Sequence, residues 1–320
     1  MHTLAISLTD NCPLRCSFCC VPPKPLDLKD SFLFDVLKTA ESRKFKKVGF
    51  TGGEPLIRRK KLFEAVRLCN DSGIPWGLTT GLGWTKKEEY AITVANELVS
   101  NRINDITISI DPSHLKFTDQ KIYIVFIREL LMHNIPILLS VTLFKNERQE
   151  FEKYLSKNIL SKLIDSNTSL IKVDFHYVAQ VGYAENKEGC GSIIKEKITS
   201  KAMRCPLKKS FVFSVWPNGD VYPCCSTYIV NKKNELILGN LKENSFEEII
   251  DFAENDPYLW ALSNLGFNKI ISFIKDDIDF SEILNSKFND VCDLCNTIGI
   301  KTKNITIKQI RNSLYQNAVK

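Results

Sequence analysis

Short β-branched runs alternate with amphipathic ones from the third residue onward. "TLAISLT" (3–9) reads as a strand. In 31–44, Leu33, Val36, Leu37 and Ala40 recur at i, i+3, i+4 and i+7, the stripe of a helix laid on one face. "KVGFTG" (47–52) is the next predicted strand, and its helix sets Leu62, Ala65, Val66 and Cys69 at the same spacing. "WGLTTGL" (76–82), "ITISID" (106–111), "ILLSVTL" (137–143) and "IKVDFHYVA" (171–179) supply four more strands, with helical patterns between them. Six β-then-α units predict parallel strands joined by right-handed crossovers. Helices outside a curled six-strand sheet, an open relative of the eightfold barrel, would bury such strands. The expected class is α/β, a partial (β/α)6 barrel.

The pattern changes near residue 203. "SFVFSVWPNGDVYPCC" (210–225) predicts a hairpin, with Asn218-Gly219 supplying a positive-φ turn. A helix-prone, irregular stretch follows (226–290), then "NDVCDLCNT" and a polar helix near 305–317. A boundary in 190–203 divides the chain into a barrel domain, 1–195, and a smaller α+β domain, 196–320. No repeat or low-complexity tract is visible.

Composition narrows the function. The chain has 320 residues, 44% apolar, enough for a packed core. Its net charge of +6 is spread along the sequence, and no basic helix is interleaved with aromatics, so a nucleic-acid partner is not expected. The start lacks a signal peptide's basic and apolar regions. The most apolar run, "IPILLSVTLF" (135–144), is far shorter than the roughly 20 residues of a membrane span, so no membrane partner is expected either. The expected location is the cytoplasm. There, eleven cysteines argue for metal or redox chemistry over a disulfide framework.

Cys12, Cys16 and Cys19 form a C-x3-C-x2-C set just past the first strand, where barrel-like sheets place their chemistry. Three thiolates on one loop suit an iron–sulfur cluster better than tetrahedral zinc, which wants four ligands. The alternative is a zinc knuckle with Cys20 as fourth ligand, but adjacent side chains point apart on an extended backbone. The spacing resembles the radical S-adenosylmethionine (radical SAM) superfamily, in which a three-cysteine [4Fe-4S] cluster leaves one iron open to SAM. Other features agree with that resemblance. Phe18 stands where the family packs an aromatic near the adenine. "TGGEP" (51–55) resembles the glycine-glycine-glutamate motif, with Gly52 and Gly53 permitting close backbone approach to a ligand and Glu54 accepting from the SAM ammonium. "TISIDP" (107–112) places Ser109 and Asp111 toward the ribose. "VAQVGYA" (178–184), with Gly182, leaves the sixth strand where the family contacts adenine.

The later cysteines form a second set. Cys205 is followed by thirteen residues, Gly219, four residues and Cys224; Cys292-x2-Cys295 comes later. This resembles the twitch domain, the short form of the SPASM extension, and implies an auxiliary [4Fe-4S] cluster on Cys205, Cys224, Cys292 and Cys295. A four-cysteine zinc site is the alternative. If Cys224 ligates, Cys225 points the other way and is free to donate hydrogen. Cys20, Cys69 and Cys190 read as structural.

"CSFCC", "NGDVYPCCS" and "CDLC" together resemble the radical SAM epimerases that convert L- to D-residues in ribosomally made, post-translationally modified peptides (RiPPs). That resemblance implies a precursor peptide substrate and an electron donor such as flavodoxin or ferredoxin. It also implies Cα–H abstraction by a 5′-deoxyadenosyl radical and hydrogen return by Cys225. An acidic residue expected on the first hairpin strand is missing; Ser210, Phe211, Val212 and Phe213 stand there. With a strand starting at residue 3, no fused leader-recognition domain is expected. Rival readings are a twitch-type dehydrogenase, a peptide cross-linking enzyme, and a non-catalytic iron–sulfur or zinc redox sensor. Among the histidines, His114 is expected near the barrel mouth, His176 in the core and His133 at a helix end.

Overall fold

The computed structural model describes residues 1–157, 159–191, 195–198, 205, 207, 210–230, 236–275, 278–300 and 306–318. Two units emerge: one of Thr3–Gly191 with Val215–Asn218, the other of the remaining residues. The boundary expected in 190–203 falls largely on residues outside the described ones.

The first unit is the predicted alternation. Its strands are β1 (Thr3–Ser7), β2 (Lys47–Thr51), β3 (Trp76–Thr80), β4 (Asp105–Ser109), β5 (Ile137–Leu143) and β6 (Ile171–Tyr177). They lie parallel in chain order. Register carries one apolar row across all six: Ile6, Phe50, Leu78, Ile106, Ile137 and Ile171 are successive partners, and all are buried. The helices between them are α1 (Asp30–Ser42), α2 (Arg59–Asp71), α3 (Glu88–Ser100), α4 (Pro112–Leu115), α5 (Gln120–Met132), α6 (Arg148–Lys157) and α7 (Ile159–Ser166). The predicted stripes are the buried ones: Leu33, Val36, Leu37 and Ala40 on α1, and Leu62, Ala65, Val66 and Cys69 on α2.

Several strands end about two residues before their apolar runs do. Leu8 and Ile110 still donate along the ladder, to Thr51 O and Ser140 O, while Thr9, Gly52, Gly81, Leu82 and Asp111 enter the loops that build the site. β6 departs from the buried-strand expectation. Its even-numbered residues Lys172, Asp174 and His176 are exposed, and His176 pairs with Asp174 at 3.3 Å instead of lying in the core. His133 does end a helix, as the cap of α5.

The second unit contains β7 (Glu196–Lys197), β8 (Val212–Val215) except its last residue, β9 (Asp220–Tyr222), β10 (Gly239–Asn240), α8 (Phe246–Glu254), α9 (Pro257–Asn264), α10 (Phe267–Ile274), α11 (Ser281–Asn285), β11 (Lys287–Phe288), α12 (Val291–Ile300) and α13 (Ile307–Ala318). The hairpin turn is longer than expected. Four residues, 216–219, separate β8 from β9, and only Gly219 has positive φ (+93°), because Pro217 widens the loop beyond a two-residue turn. A capping box of Ser245 and Glu248 starts α8. Asp256 caps α9 through the amide of Leu259 and pairs with Arg311 of α13, fixing the first turn of α9 and, within it, Tyr258. His2 accepts from the Phe211 amide at 3.1 Å and pairs with Glu254 at 2.8 Å. Among the described residues no helix is long and apolar enough to cross a membrane.

Candidate functional site

The first cysteine loop is held at its roots. Leu8 donates to Thr51 O, Asp10 to Leu26 O, Lys24 to Asp10 O and Leu28 to Leu8 O, so the chain between residues 10 and 24 leaves and returns at one point. Thr9 donates to Asp27, and Arg58 Nε donates to both carboxylate oxygens of Asp27 at 2.8 Å. A Cys19 N–H to Cys16 O bond of 3.1 Å turns the loop so that Cys12, Cys16 and Cys19 share one electrostatic neighbourhood. Burial pushes the thiols up, Cys12 to about 11 and Cys19 to about 12, opposed by single hydrogen bonds from Leu14 and Val21. Thiols so placed keep their protons until a metal displaces them.

The glycine pair also has a structural cause within the fold. The backbone that approaches it closely is the chain's own. Gly52 has φ +132°, and a Cβ there would stand 2.7 Å from Ser7 Oγ and closer still to Thr9 O. At Gly53 a Cβ would meet the Asn11 carbonyl carbon at 2.6 Å and its oxygen more closely. Only glycine lets Gly53 N–H donate to Thr9 O (2.6 Å) and Glu54 N–H to Asn11 O (2.9 Å). The motif after β2 is thereby riveted to the root of the cysteine loop.

Glu54 is fully buried. Its carboxylate accepts from Thr80 Oγ1 at 2.9 and 3.0 Å, Gly81 N at 3.0 Å and Leu56 N at 3.2 Å. Trp84 Nε1 and Leu82 N in turn donate to Thr80 Oγ1, which fixes that hydroxyl's proton toward Glu54. Burial nonetheless raises the Glu54 pKa to about 7, against the lowering pull of these bonds and of His114. A buried carboxylate still raised despite His114 has a deficit of compensating positive charge, which an ammonium would supply.

At the end of β4 the backbone oxygen of Ser109 accepts from Tyr123. Asp111, fully buried, accepts from the amides of Ser113 and His114 and from His114 Nδ1 at 2.8 Å, so both its oxygens have partners within its own turn. His114 also hydrogen-bonds Cys16. Burial opposes the imidazolium, yet Asp111 and Cys16 outweigh it and raise the pKa to about 10. Its ring lies 5.9 Å from that of Phe18 and against Gly81, where a Cβ would meet it at 2.9 Å. Gly182, φ +57°, seats on the same loop. A Cβ there would approach Cys20 O to 2.7 Å and Cys19 O more closely, and the next residue, Tyr183, donates to Cys19 O. Cys12, Cys16, Cys19, Phe18, Gly52, Gly53, Glu54, Asp111 and Gly182 are thus joined through one bonded neighbourhood. Thr80, Trp84 and the Asp111–His114 pair were not read as a network from the sequence. The available signal was position, since Thr80 and Gly81 lie at the carboxyl end of β3.

In the second unit, Cys205, Cys224, Cys225, Cys292 and Cys295 border a cavity of about 200 Å³ whose other walls include Tyr228, Leu259 and Leu262. Cys292 and Cys295 sit at i and i+3 on α12 and so share a face. Cys205, Cys224, Cys292 and Cys295 act electrostatically on one another, and burial pushes Cys224 up to about 12 and Cys292 to about 11. All eleven cysteines are free thiols, and Cys225 alone among them is exposed.

Among the described residues no three His, Cys, Asp or Glu side chains are gathered to hold a single metal ion. A four-iron cube asks for something else, because each thiolate binds a different iron. Three thiols on one loop and four around one cavity are all-sulfur donor sets, and they fit such cubes.

Residues 6–153 match the model of the radical SAM superfamily, and residues 205–296 match SPASM, an iron–sulfur cluster-binding domain. The chain thus carries a radical SAM domain and a SPASM domain; the first implies a [4Fe-4S] cluster and SAM, the second further iron–sulfur ligation. It is similar along nearly its whole length to YydG of Bacillus subtilis (strain 168), a protein named for peptide biosynthesis, with 22% identity over 308 residues, 92% of this chain and 91% of that one. A GTP 3′,8-cyclase of Clostridium botulinum (strain Hall) is 41% identical over 64 residues, 18% of this chain and 20% of that one. Among solved structures, anSMEcpe with bound AdoMet and the Cp18Cys peptide superposes with a TM-score of 0.55 at 14% identity, covering 99% of this chain and 96% of that one. It shares the fold, an open six-strand barrel.

Proposed function

We propose that this enzyme epimerises residues of a ribosomally made precursor peptide from L to D, in the cytoplasm, drawing electrons from a flavodoxin- or ferredoxin-type donor. Cys12, Cys16 and Cys19 hold the catalytic cluster. Glu54 receives the SAM ammonium, and Phe18, Gly52, Gly53, Ser109, Asp111 and Gly182 shape the rest of that pocket. Cys205, Cys224, Cys292 and Cys295 hold the auxiliary cluster. Bound SAM supplies a 5′-deoxyadenosyl radical that removes a peptide Cα hydrogen.

The observation that carries the reading is Cys225. It borders the same cavity as Cys205, Cys224, Cys292 and Cys295, yet it alone of the eleven is exposed. Desolvation by the surrounding chain raises its pKa, so the sulfur keeps its hydrogen. The S–H bond breaks homolytically as the new Cα–H forms on the opposite face. One electron and one proton then restore the thiol. The similarity to YydG, named for peptide biosynthesis, supports a peptide substrate.

The test is Cys225→Ala with a candidate peptide in deuterated water. The parent should place one deuterium at Cα per D-residue formed. The variant should keep cleaving SAM at a roughly unchanged rate and form no D-residue. An undiminished D-residue yield would remove Cys225 from the mechanism. Loss of two hydrogens from the peptide would replace epimerisation with oxidation or cross-linking.

A further inference from the structure

Each thiol of the auxiliary set is met by a hydrogen-bond donor from another residue. Backbone N–H groups of Leu207 and Ser226 reach Cys205 and Cys224. The Ser226 side chain reaches Cys292. Tyr258 Oη stands 3.6 Å from Cys295 Sγ. Cys225, bordering the same cavity, has only its own backbone.

Two of the four donors are hydroxyls, and both are held in place. Tyr258 lies in the first turn of α9, fully buried, with its position fixed by the Asp256 cap and the Asp256–Arg311 pair. A phenylalanine would fill the same space, so burial alone does not account for the oxygen. A buried hydroxyl needs a partner, and Cys295 is the one it has. Ser226 Oγ accepts from Tyr228 N at 3.3 Å, which turns its proton outward. Against a free thiol either atom can donate. Against an iron-bound thiolate, which has no hydrogen, only the hydroxyl can.

We propose that Tyr258 and Ser226 are positioning residues of the auxiliary cluster, donating hydrogen bonds to the sulfurs of Cys295 and Cys292 and so making that cluster easier to reduce. The inference rests on the ligand reading given above and deepens it. Reduction adds one electron to the cluster and no proton, and the added negative charge spreads onto the sulfurs. Donors aimed at those sulfurs stabilise the reduced form more than the oxidised one. Each hydroxyl that is lost therefore makes reduction harder.

The measurement uses the full chain with Cys12, Cys16 and Cys19 replaced by alanine, so that only the auxiliary cluster is present. Its midpoint is followed by redox titration with electron paramagnetic resonance. In Tyr258→Phe the reduction equilibrium should fall about tenfold, a shift of ~59 mV to more negative potential for one electron, with iron retained. Ser226→Ala should shift in the same direction. If Tyr258→Phe loses its iron, Ser226→Ala decides. An unmoved midpoint in the deciding variant overturns the proposal. Cys295→Ala separates this failure from that of the ligand reading. Full iron and an unaltered spectrum in Cys295→Ala would discard Cys295 as a ligand, and the inference with it. Depleted iron there, with an unmoved midpoint in Tyr258→Phe, would discard only the hydrogen bond.

Discussion

Glu54 concentrates the electrostatics of the proposed SAM pocket in one side chain. Its ordinary pKa is 4.5, and in the fold it is about 7. Between those values the folded chain holds a proton that the unfolded chain has released. Without SAM, stability therefore falls as pH rises from about 4.5 to about 7, by about 3 kcal/mol in all, and stays lower above that. Thermal unfolding of the SAM-free protein across that range should show the decline, and Glu54→Gln should abolish it. The same variant should weaken SAM binding at least about tenfold in equilibrium dialysis, because the ammonium loses a charged partner of about 1.5–3 kcal/mol. Thr80 acts one step back: Thr80→Val leaves both Glu54 oxygens short of a donor and should move its pKa further up.

At the scale of elements, the loops after β1 and β2 form one piece of machinery. Gly53→Ala forces a methyl group into the Asn11 carbonyl, a packing conflict of about 1–3 kcal/mol. The cysteine loop would absorb it by shifting. The expected outcome is poorer iron loading at the first cluster, read as reduced visible absorbance after anaerobic reconstitution, while the auxiliary cluster still loads. Gly49, inside β2, has an open neighbourhood by comparison: a Cβ there meets Leu4 O at an ordinary 3.8 Å. Alanine at 49 should leave iron loading unchanged, and the contrast between the two glycines tests whether the motif acts by close approach.

For the whole molecule, how much was legible varied with the physics. The six strands and the buried stripes of α1 and α2 follow from periodicity, because each buries one face against the sheet. The two cysteine sets were legible from spacing as candidate ligands, and the structure gathers Cys205, Cys224, Cys292 and Cys295 around one cavity. Strand ends were read too far, as apolar Leu8 and Ile110 stay buried and each keeps one ladder bond past the last paired residue, and periodicity does not register the turn that follows. His176 was misread because β6 exposes its even-numbered residues. The Glu54–Thr80–Trp84 chain and the Tyr258–Cys295 contact were invisible, because they join residues brought together only by packing. Replacing Cys12, Cys16 and Cys19 together should roughly halve the iron and abolish SAM cleavage while leaving the auxiliary signal.

Gly182 gives the last strand's exit a seat on the carbonyls of Cys19 and Cys20, while Gly53 ties the second strand's exit to the first. A cluster held by Cys12, Cys16 and Cys19 would therefore work as a keystone, with segments from both ends of the strand order leaning on the loop that carries those cysteines. Air that destroys the metal should slacken both abutments together. An oxygen-exposed sample should then be nicked by trypsin at Arg15 and Lys187 in step, sooner than at Lys38 or Lys121 on the outer helices.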